Sequence, residues 1–286
     1  MKLSRLFPLF AALSLLCQPA QAQQTEPVAD PHITAGPSEI KLRDQATLKL
    51  PADYLFIDQQ RGSELMRKMG NPTDSRFLGL VVPKDEKAQW MVVAEYEASG
   101  YIKDDDAKDW NADELLTSLK EGTEAANQAR REANIAELEV TGWAEKPHYQ
   151  ADSHQLVWAA LSRDKGAPAS DGQGINYNTY ALGREGYISL NLVTDAATIE
   201  ADKPAARTLL AALSFNDGKR YQDFDASTDR VAEYGLSALV AGVAAKKLGL
   251  FAVIAAFFAK FFKFIAIGGI ALLAGLKRLF GKKSAS

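Results

Sequence analysis

The chain has 286 residues and a formal net charge of −3, which hides an uneven distribution of charge. Residues 23–235 contain 23 Lys and Arg against 36 Asp and Glu, a net charge of −13, whereas the segment after Glu233 contains eight Lys and Arg and no acid. The acidic part argues against nucleic-acid binding, and the basic tail predicts contact with anionic lipids of a membrane bilayer.

Residues 1–22 have the order of features that is typical of a secretory signal peptide. Lys2 and Arg5 precede an apolar run over 6–16 that is too short to span a bilayer, and a small-x-small pattern ends at Ala22. Removal of this segment also removes Cys17, the only cysteine, so we expect no disulfide, thiolate nucleophile or cysteine metal site in the mature chain. Residues 23–38 contain three prolines and few apolar residues, and they are predicted to form a disordered leader.

Residues 39–228 are predicted to form an extracytoplasmic α+β domain. Apolar alternation indicates strands over 46–51, 54–57, 77–82, 89–97, 137–141, 156–162, 176–182 and 187–193, and helical periodicity indicates helices over 62–69, 111–139 and 201–213. The segment Gly183–Gly186 is a hairpin turn signal between the last two strands. We therefore expect a mostly antiparallel sheet with one long helix, 111–139, packed on it, followed by C-terminal membrane-associated helices.

The C-terminal part is predicted to associate with the membrane. Residues 229–260 form a Gly/Ala-rich helix that is amphipathic or interfacial, and small residues recur along one stripe of it: Gly235, Ala238, Gly242, Ala245, Gly249 and Ala252. Such a stripe favours close helix packing and a homo-oligomer, although a high content of alanine and glycine explains it as well. Residues 261–279 are predicted to cross the membrane once, with Lys263 and Lys277 reaching opposite headgroup layers, and 280–286 to form a basic cytoplasmic tail.

Three consecutive acids precede the long predicted helix: Asp104, Asp105 and Asp106. Their oxygens are the ligands that calcium prefers, with Asp104 and Asp106 the metal candidates. The loop lacks the spacing and closing glutamate of an EF-hand, so solvated acids at a helix start are the simpler interpretation.

His148 and His154, together with Asp105, are the candidate catalytic residues. Histidines at this spacing in a loop are no metal signature, and no nucleophile elbow, phosphate loop or dinucleotide fingerprint is present in the sequence. A structural or surface role for both histidines is the competing interpretation.

Four aromatic residues cluster in the second half of the predicted domain: Trp143, Tyr149, Trp158 and Tyr177. Aromatic side chains dominate recognition sites, so these four are candidates for a ligand groove. Large aromatic residues also fill cores, and a core role is the alternative.

Several blocks of the sequence match a known family. The segments 100–107, 111–116, 142–149, 156–159 and 176–178, with Leu182-Gly-Arg184 and Tyr234-Gly-Leu236, resemble the bacterial membrane-anchored family called domain of unknown function 2167. The resemblance extends over residues 40–283 and includes Arg184 among the candidate binding residues. It implies a membrane-anchored protein, mostly of Gram-negative bacteria, and implies no activity, cofactor or catalytic residue.

These observations favour a non-enzymatic envelope protein in the cytoplasmic membrane, with an acidic binding or interaction domain on the outer side and no cofactor. One alternative is a membrane-remodelling or stress-related scaffold that acts through the basic Gly/Ala helix. Another is an extracytoplasmic hydrolase or lyase.

Overall fold

A computed structural model describes residues 30–241 apart from 70, 72, 109 and 133–135. The strands are β1 (Ile33–Ala35), β2 (Ser38–Leu42), β3 (Ala46–Leu50), β4 (Tyr54–Asp58), β5 (Phe77–Pro83), β6 (Met91–Glu97), β7 (Leu138–Gln150), β8 (Gln155–Asp164), β9 (Gly174–Leu182), β10 (Tyr187–Asp195) and β11 (Leu213–Phe215). The helices are α1 (Gln59–Lys68), α2 (Ala112–Glu132), α3 (Ile199–Ala211) and α4 (Ser237–Ala241).

The strands form two antiparallel sheets. Eight strands make one sheet in the order β1-β4-β5-β6-β10-β9-β8-β7, and three make another in the order β11-β3-β2. All the strand pairs are antiparallel, so the predicted α+β class with a mostly antiparallel sheet is confirmed.

The large sheet has helices on both faces. One face, here called the α3 face, packs against α3 and the small sheet and carries a continuous apolar cluster that includes Val92, Leu190 and Tyr177. Because side chains alternate along a strand, Val93, Asn191 and Asn178 lie on the opposite face, together with α1 and α2. This second face is called the α2 face.

Local sequence explains where the helices begin. The Asp58 carboxylate accepts a hydrogen bond of 2.9 Å from Arg61 N and caps α1. Asn111 caps α2 in the same way, because its Oδ1 accepts from Asp113 N at 2.9 Å. Within α2, the buried Asn127 amide both donates to Leu138 O and accepts from Leu138 N, each at 2.9 Å, which joins the helix to the start of β7.

The helix predicted over 111–139 therefore ends earlier than expected, at Glu132. Residues 138–150 form β7, a strand of 13 residues where the sequence predicted a short one. The hydrogen bonds between Asn127 and Leu138 join α2 to the start of β7, and helical periodicity does not reveal a tertiary contact of this kind.

The boundaries of the domain also differ from those predicted. Part of the predicted leader is ordered, because Ile33–Ala35 pairs with β4 as an edge strand. The domain continues past residue 228, because Val231 pairs with Tyr101 and both Leu236 and Val240 are fully buried. In the described part, the helix predicted over 229–260 begins only at Ser237.

Among the described residues, no helix is long and apolar enough to cross a membrane. The predicted crossing over 261–279, with Lys263 and Lys277, lies outside the described residues, as do the signal peptide over 1–22 and the stripe positions Gly242, Ala245, Gly249 and Ala252.

Candidate functional site

The three consecutive aspartates have different surroundings. Asp104 accepts a hydrogen bond of 2.6 Å from the hydroxyl of Tyr149. Asp105 is exposed at the start of a 3-10 turn. Asp106 accepts from Leu236 N at 3.0 Å and from both the N and the Oγ of Ser237, at 2.9 and 2.6 Å, so it caps α4 from a distant loop.

Asp104, Tyr149 and His154 form a hydrogen-bonded chain between the 104 loop and the β7–β8 turn. The Tyr149 oxygen is 3.2 Å from His154 Nδ1. Because the only hydroxyl hydrogen of Tyr149 is donated to Asp104, Nδ1 must carry a hydrogen and donate it to the Tyr149 oxygen. The Nε2 atom of a neutral His154 is then an acceptor.

An aromatic stack holds the His154 ring in place. His154 lies on Tyr221 with ring centroids 4.0 Å apart, Tyr221 lies on Tyr101 at 4.4 Å, and Tyr101 lies on Phe224 at 3.9 Å. The Tyr221 hydroxyl donates to Ile102 O at 2.8 Å. The His154 backbone has a φ of +51°, a left-handed conformation that is uncommon for a residue other than glycine.

Burial determines the protonation of this cluster. It raises the pKa of Tyr149, and the nearby Asp104 carboxylate raises it further. It also lowers the pKa of His154, against the opposing effect of Asp104 and Asp152. Both shifts favour a neutral phenol beside a neutral imidazole.

The other predicted residues do not join this cluster. His148 is exposed, and its pairing with Val157 puts it on the α3 face, opposite Tyr149. Tyr177 is fully buried in the α3-face cluster, where its hydroxyl is 3.1 Å from Glu145 Oε1 and accepts from Arg207 Nε at 3.0 Å.

Trp143 and Trp158 do share the α2 face with Tyr149, in an edge-to-face contact with ring centroids 5.9 Å apart. Trp143 Nε1 donates to Ala112 O at 3.0 Å, so the ring anchors α2. The four aromatic residues therefore divide between two faces of the sheet and do not line one groove.

Three further predicted positions have structural contacts. Arg184, in the β9–β10 turn, donates two hydrogen bonds of 2.6 and 2.8 Å to the Asp229 carboxylate and lowers the pKa of that carboxyl. Gly235 precedes α4, and a Cβ at this position would lie 2.6 Å from Asp106 Oδ2. Ala238, in α4, is buried within the domain.

A set of polar residues that the sequence did not single out lies across the centre of the α2 face. Here called the polar strip, it consists of Glu95, Ser189, Asn191, Asn178 and Asn176. Ser189 lies opposite Glu95, and Asn191 lies opposite Asn178, so the strip crosses three neighbouring central strands. It separates two apolar clusters, one under α1 that includes Val93 and one under α2 that includes Trp158.

The strip contains buried oxygens without hydrogen-bond partners. Asn176 is 6% exposed, and its Oδ1 has no partner; the Oδ1 of Asn191 also has none. Asn178 is 6% exposed as well, and its Nδ2 donates to the backbone O of Asn176 at 2.9 Å. Glu95, Ser189 and Asn191 are half-buried, so the strip is less enclosed on β6 and β10 than on β9.

The charges beside the strip are predominantly negative. Burial raises the pKa of Glu95, and the neighbouring Arg76 opposes that rise. Arg76 donates three hydrogen bonds of 2.5 to 3.0 Å to Asp74, and its NH1 lies 3.6 Å from Glu97 Oε2. The single positive charge of Arg76 is therefore shared among Asp74, Glu97 and Glu95. No group of three or more metal-ligating side chains occurs in the part of the chain that the structure describes, Asp104–Asp106 included.

The sequence profile of the family described as "Protein of unknown function (DUF2167)" matches residues 34–271. The chain belongs to this family. No curated protein matches it. Among solved structures, the chain is similar to the solution structure of cyanobacterial PsbP (CyanoP) from Synechocystis sp. PCC 6803, with 10% sequence identity and a TM-score of 0.38 over 66% of this chain and 95% of that chain.

Proposed function

We propose that this DUF2167 protein is a membrane-anchored binding protein of the bacterial envelope, and that the polar strip binds a small polar ligand. The observation that carries the proposal is the pair of partnerless amide oxygens, Asn176 Oδ1 and Asn191 Oδ1, on central strands of a sheet with helices on both faces. A buried polar atom without a partner costs about 1–3 kcal/mol. Positions that break the rules of core packing are where functional sites are expected.

The arrangement of the strip also supports binding. Apolar clusters lie on both sides of it, so a ligand on the strip would meet apolar walls and a polar floor, which is the usual composition of a small-molecule site. Trp158, one of the predicted binding residues, lies beside the strip opposite Asn178.

The double variant Asn176→Leu/Asn191→Leu tests the site. Leucine has the same number of side-chain heavy atoms as asparagine, branched at the same carbon, and no polar atom, so the fold should be retained while the ligand loses its partners. We expect that, in a thermal-shift screen of small polar metabolites, at least one compound raises the melting temperature of the parent and not that of the variant. A screen in which every active compound stabilises both proteins equally would contradict binding at the strip.

The membrane part of the proposal is supported by charge. A domain with a net charge of −13 precedes a tail with eight Lys and Arg and no acid, as expected for a single-pass protein whose tail meets anionic lipid. We expect external protease on spheroplasts to degrade the domain and to spare a tag placed after Ser286. Digestion of the tag from outside would contradict a single crossing over 261–279.

Self-association through the small-residue stripe is part of the same proposal. Replacing Gly242 and Gly249 by leucine should prevent close approach of two helices and reduce crosslinked oligomers in membranes. The matched control is Leu250→Ala, off the stripe. Equal crosslinking of all proteins would show that the stripe reflects composition alone.

A hydrolase or lyase is the second candidate, favoured by the chain Asp104–Tyr149–His154. This chain orients His154 so that Nε2 can accept a proton, as in sites where a base is held by a third group. Turnover of a chromogenic ester or phosphoester by the parent, lost in His154→Asn and kept in His148→Asn, would support it. Equal rates in all three proteins would exclude a catalytic His154.

A further inference from the structure

The acceptors of the polar strip are arranged along a diagonal. Glu95 and Asn191 lie on adjacent strands two positions apart, and Asn191 and Asn176 are related in the same way. With strands about 4.8 Å apart and a rise of about 3.3 Å per residue, the Cβ atoms of Glu95 and Asn176 are about 16 Å apart. The strip is therefore suited to an elongated ligand and not to a single ion.

The buried atoms of the strip that lack a hydrogen-bond partner are both acceptors, the Oδ1 atoms of Asn176 and Asn191. The Glu95 carboxyl lies at the other end of the diagonal and, when ionised, is an acceptor as well. A ligand that satisfies them must donate hydrogen bonds at three points along its length.

The electrostatic surroundings select the charge of that ligand. Glu95 and Glu97 lie near Arg76, whose guanidinium is already bonded to Asp74. An anion would be repelled here, whereas a cation would add to the partial compensation that Arg76 gives the Glu95 charge. Tyr180 and Tyr187, in edge-to-face contact at 5.5 Å, add aromatic surface that attracts cations.

We propose that the strip binds a linear alkyl polyamine, with ammonium groups at Glu95, Asn191 and Asn176. This inference rests on the proposed binding function and names the class of its ligand. A terminal ammonium donates up to three hydrogen bonds and an internal one up to two, and the flexible methylene chain between the groups can follow the diagonal over apolar side chains.

A consequence is proton release on binding. Burial raises the pKa of Glu95; Asp74 and Glu97 raise it further, and Arg76 lowers it. A bound ammonium stabilises the ionised carboxylate and lowers that pKa, so affinity should fall as the pH is lowered and Glu95 becomes protonated. The amines stay charged throughout that range.

The test is calorimetric titration of the full-length protein with spermidine. Glu95→Gln keeps the shape of the side chain and should weaken binding about tenfold or more, the typical loss for a hydrogen bond to a charged group. The matched control is Glu121→Gln, which removes the same charge from the exposed surface of α2 and should change the affinity less than twofold. Asn191→Asp adds a carboxylate to the strip and should tighten binding.

Equal weakening by Glu95→Gln and Glu121→Gln would overturn the proposal, because it would show diffuse attraction to an acidic domain. Absence of spermidine binding in the parent would overturn it as well. If a neutral trisaccharide binds instead and loses affinity in Asn176→Leu/Asn191→Leu, the polyamine is wrong while the binding function stands. If the strip binds no small polar ligand at all, the thermal-shift screen described above would find no compound that stabilises the parent and not Asn176→Leu/Asn191→Leu.

Discussion

At the scale of single residues, the two candidate histidines have opposite environments although only five residues separate them. His148 is exposed on the α3 face, whereas His154 is stacked on Tyr221 and hydrogen-bonded to Tyr149. A left-handed backbone at the β7–β8 turn directs His154 to the α2 face, where it meets the loop that contains Asp104. Only His154 is therefore part of a polar cluster.

Tyr149→Phe should destabilise the protein by about 1–2 kcal/mol, because it removes the donor to the half-buried Asp104 carboxylate. The measurement is urea unfolding at neutral pH. Tyr54→Phe is the matched control, since the Tyr54 hydroxyl forms no hydrogen bond to a described residue. Similar losses in the two variants would argue against a specific role of the Tyr149 hydroxyl.

His154 should make the protein less stable in mild acid. Its pKa in the folded state is lowered by burial, so the unfolded chain, with an ordinary histidine pKa of 6.5, binds a proton more readily. The free energy of unfolding should therefore fall as the pH decreases below 6.5. His154→Asn tolerates the left-handed backbone and should lose less stability than the parent between pH 7.5 and pH 5.5. A steeper loss in the variant would show that His154 gains a proton on folding.

The sequence identified Tyr149, His154 and Asp104 as candidates, but not their contact. Asp104 and Tyr149 are 45 positions apart, and the approach depends on the path of the 104 loop over the sheet. The adjacent Asp106 was predicted as a solvated or metal-binding acid, and it caps a helix that starts 131 positions later. Composition gives the residue types of a cluster, whereas their partners follow from tertiary structure.

At the scale of elements, the most consequential contact is that of Asp106 with the first turn of α4. The carboxylate accepts hydrogen bonds from two backbone N–H groups at the start of α4, where a helix has no carbonyl of its own to satisfy them. Leu236 and Val240 are then held in the cluster under α2.

Asp106→Ala should release this segment. We expect faster hydrogen exchange of the amides over 236–241 and a loss of about 1–3 kcal/mol of stability, because two backbone donors and the Ser237 hydroxyl lose a charged acceptor. Asp105→Ala removes the same charge one residue earlier and should leave exchange in 236–241 unchanged. The same acceleration in both variants would indicate a general effect of the loop charge.

β7 is a long edge strand with two features that reduce its pairing with strands of other chains. It is the last strand of the large sheet, with 13 residues, and its pairing with β8 has three register shifts. Pro147 lies within it and lacks an N–H for a further strand. Bulges and a proline both reduce pairing with other chains at an edge.

At the scale of the whole molecule, the α+β class and the hairpin at Gly183–Gly186 were predictable, because alternation and turn chemistry are local. The polar strip was not. Alternation at Asn176 and Asn178 is the pattern of a strand with one face in water, and it does not reveal that helices lie over that face. The central position of β9 and β10 in the sheet turns these ordinary polar positions into buried ones.

Replacing the two partnerless amides of the strip by leucine should stabilise the protein and weaken ligand binding. Asn176→Leu/Asn191→Leu replaces two partnerless amides by apolar groups with the same branching, and we expect the free energy of unfolding to rise by about 1–3 kcal/mol. For a domain of this size each kcal/mol raises the melting temperature by about 2–4 °C. A decrease in melting temperature would show that the amides contribute to the fold itself.

The burial of α4 has a consequence for shedding of the domain by proteolysis. A cut between residues 228 and 236, where the sequence predicted the domain to end, would separate Leu236 and Val240 from the cluster they fill and leave Asp106 without its partners. The fragment so released would have an open core and would be prone to degradation. A protease that sheds the domain without opening this cluster must therefore cut on the C-terminal side of Ala241, the last residue of the cluster that the structure describes.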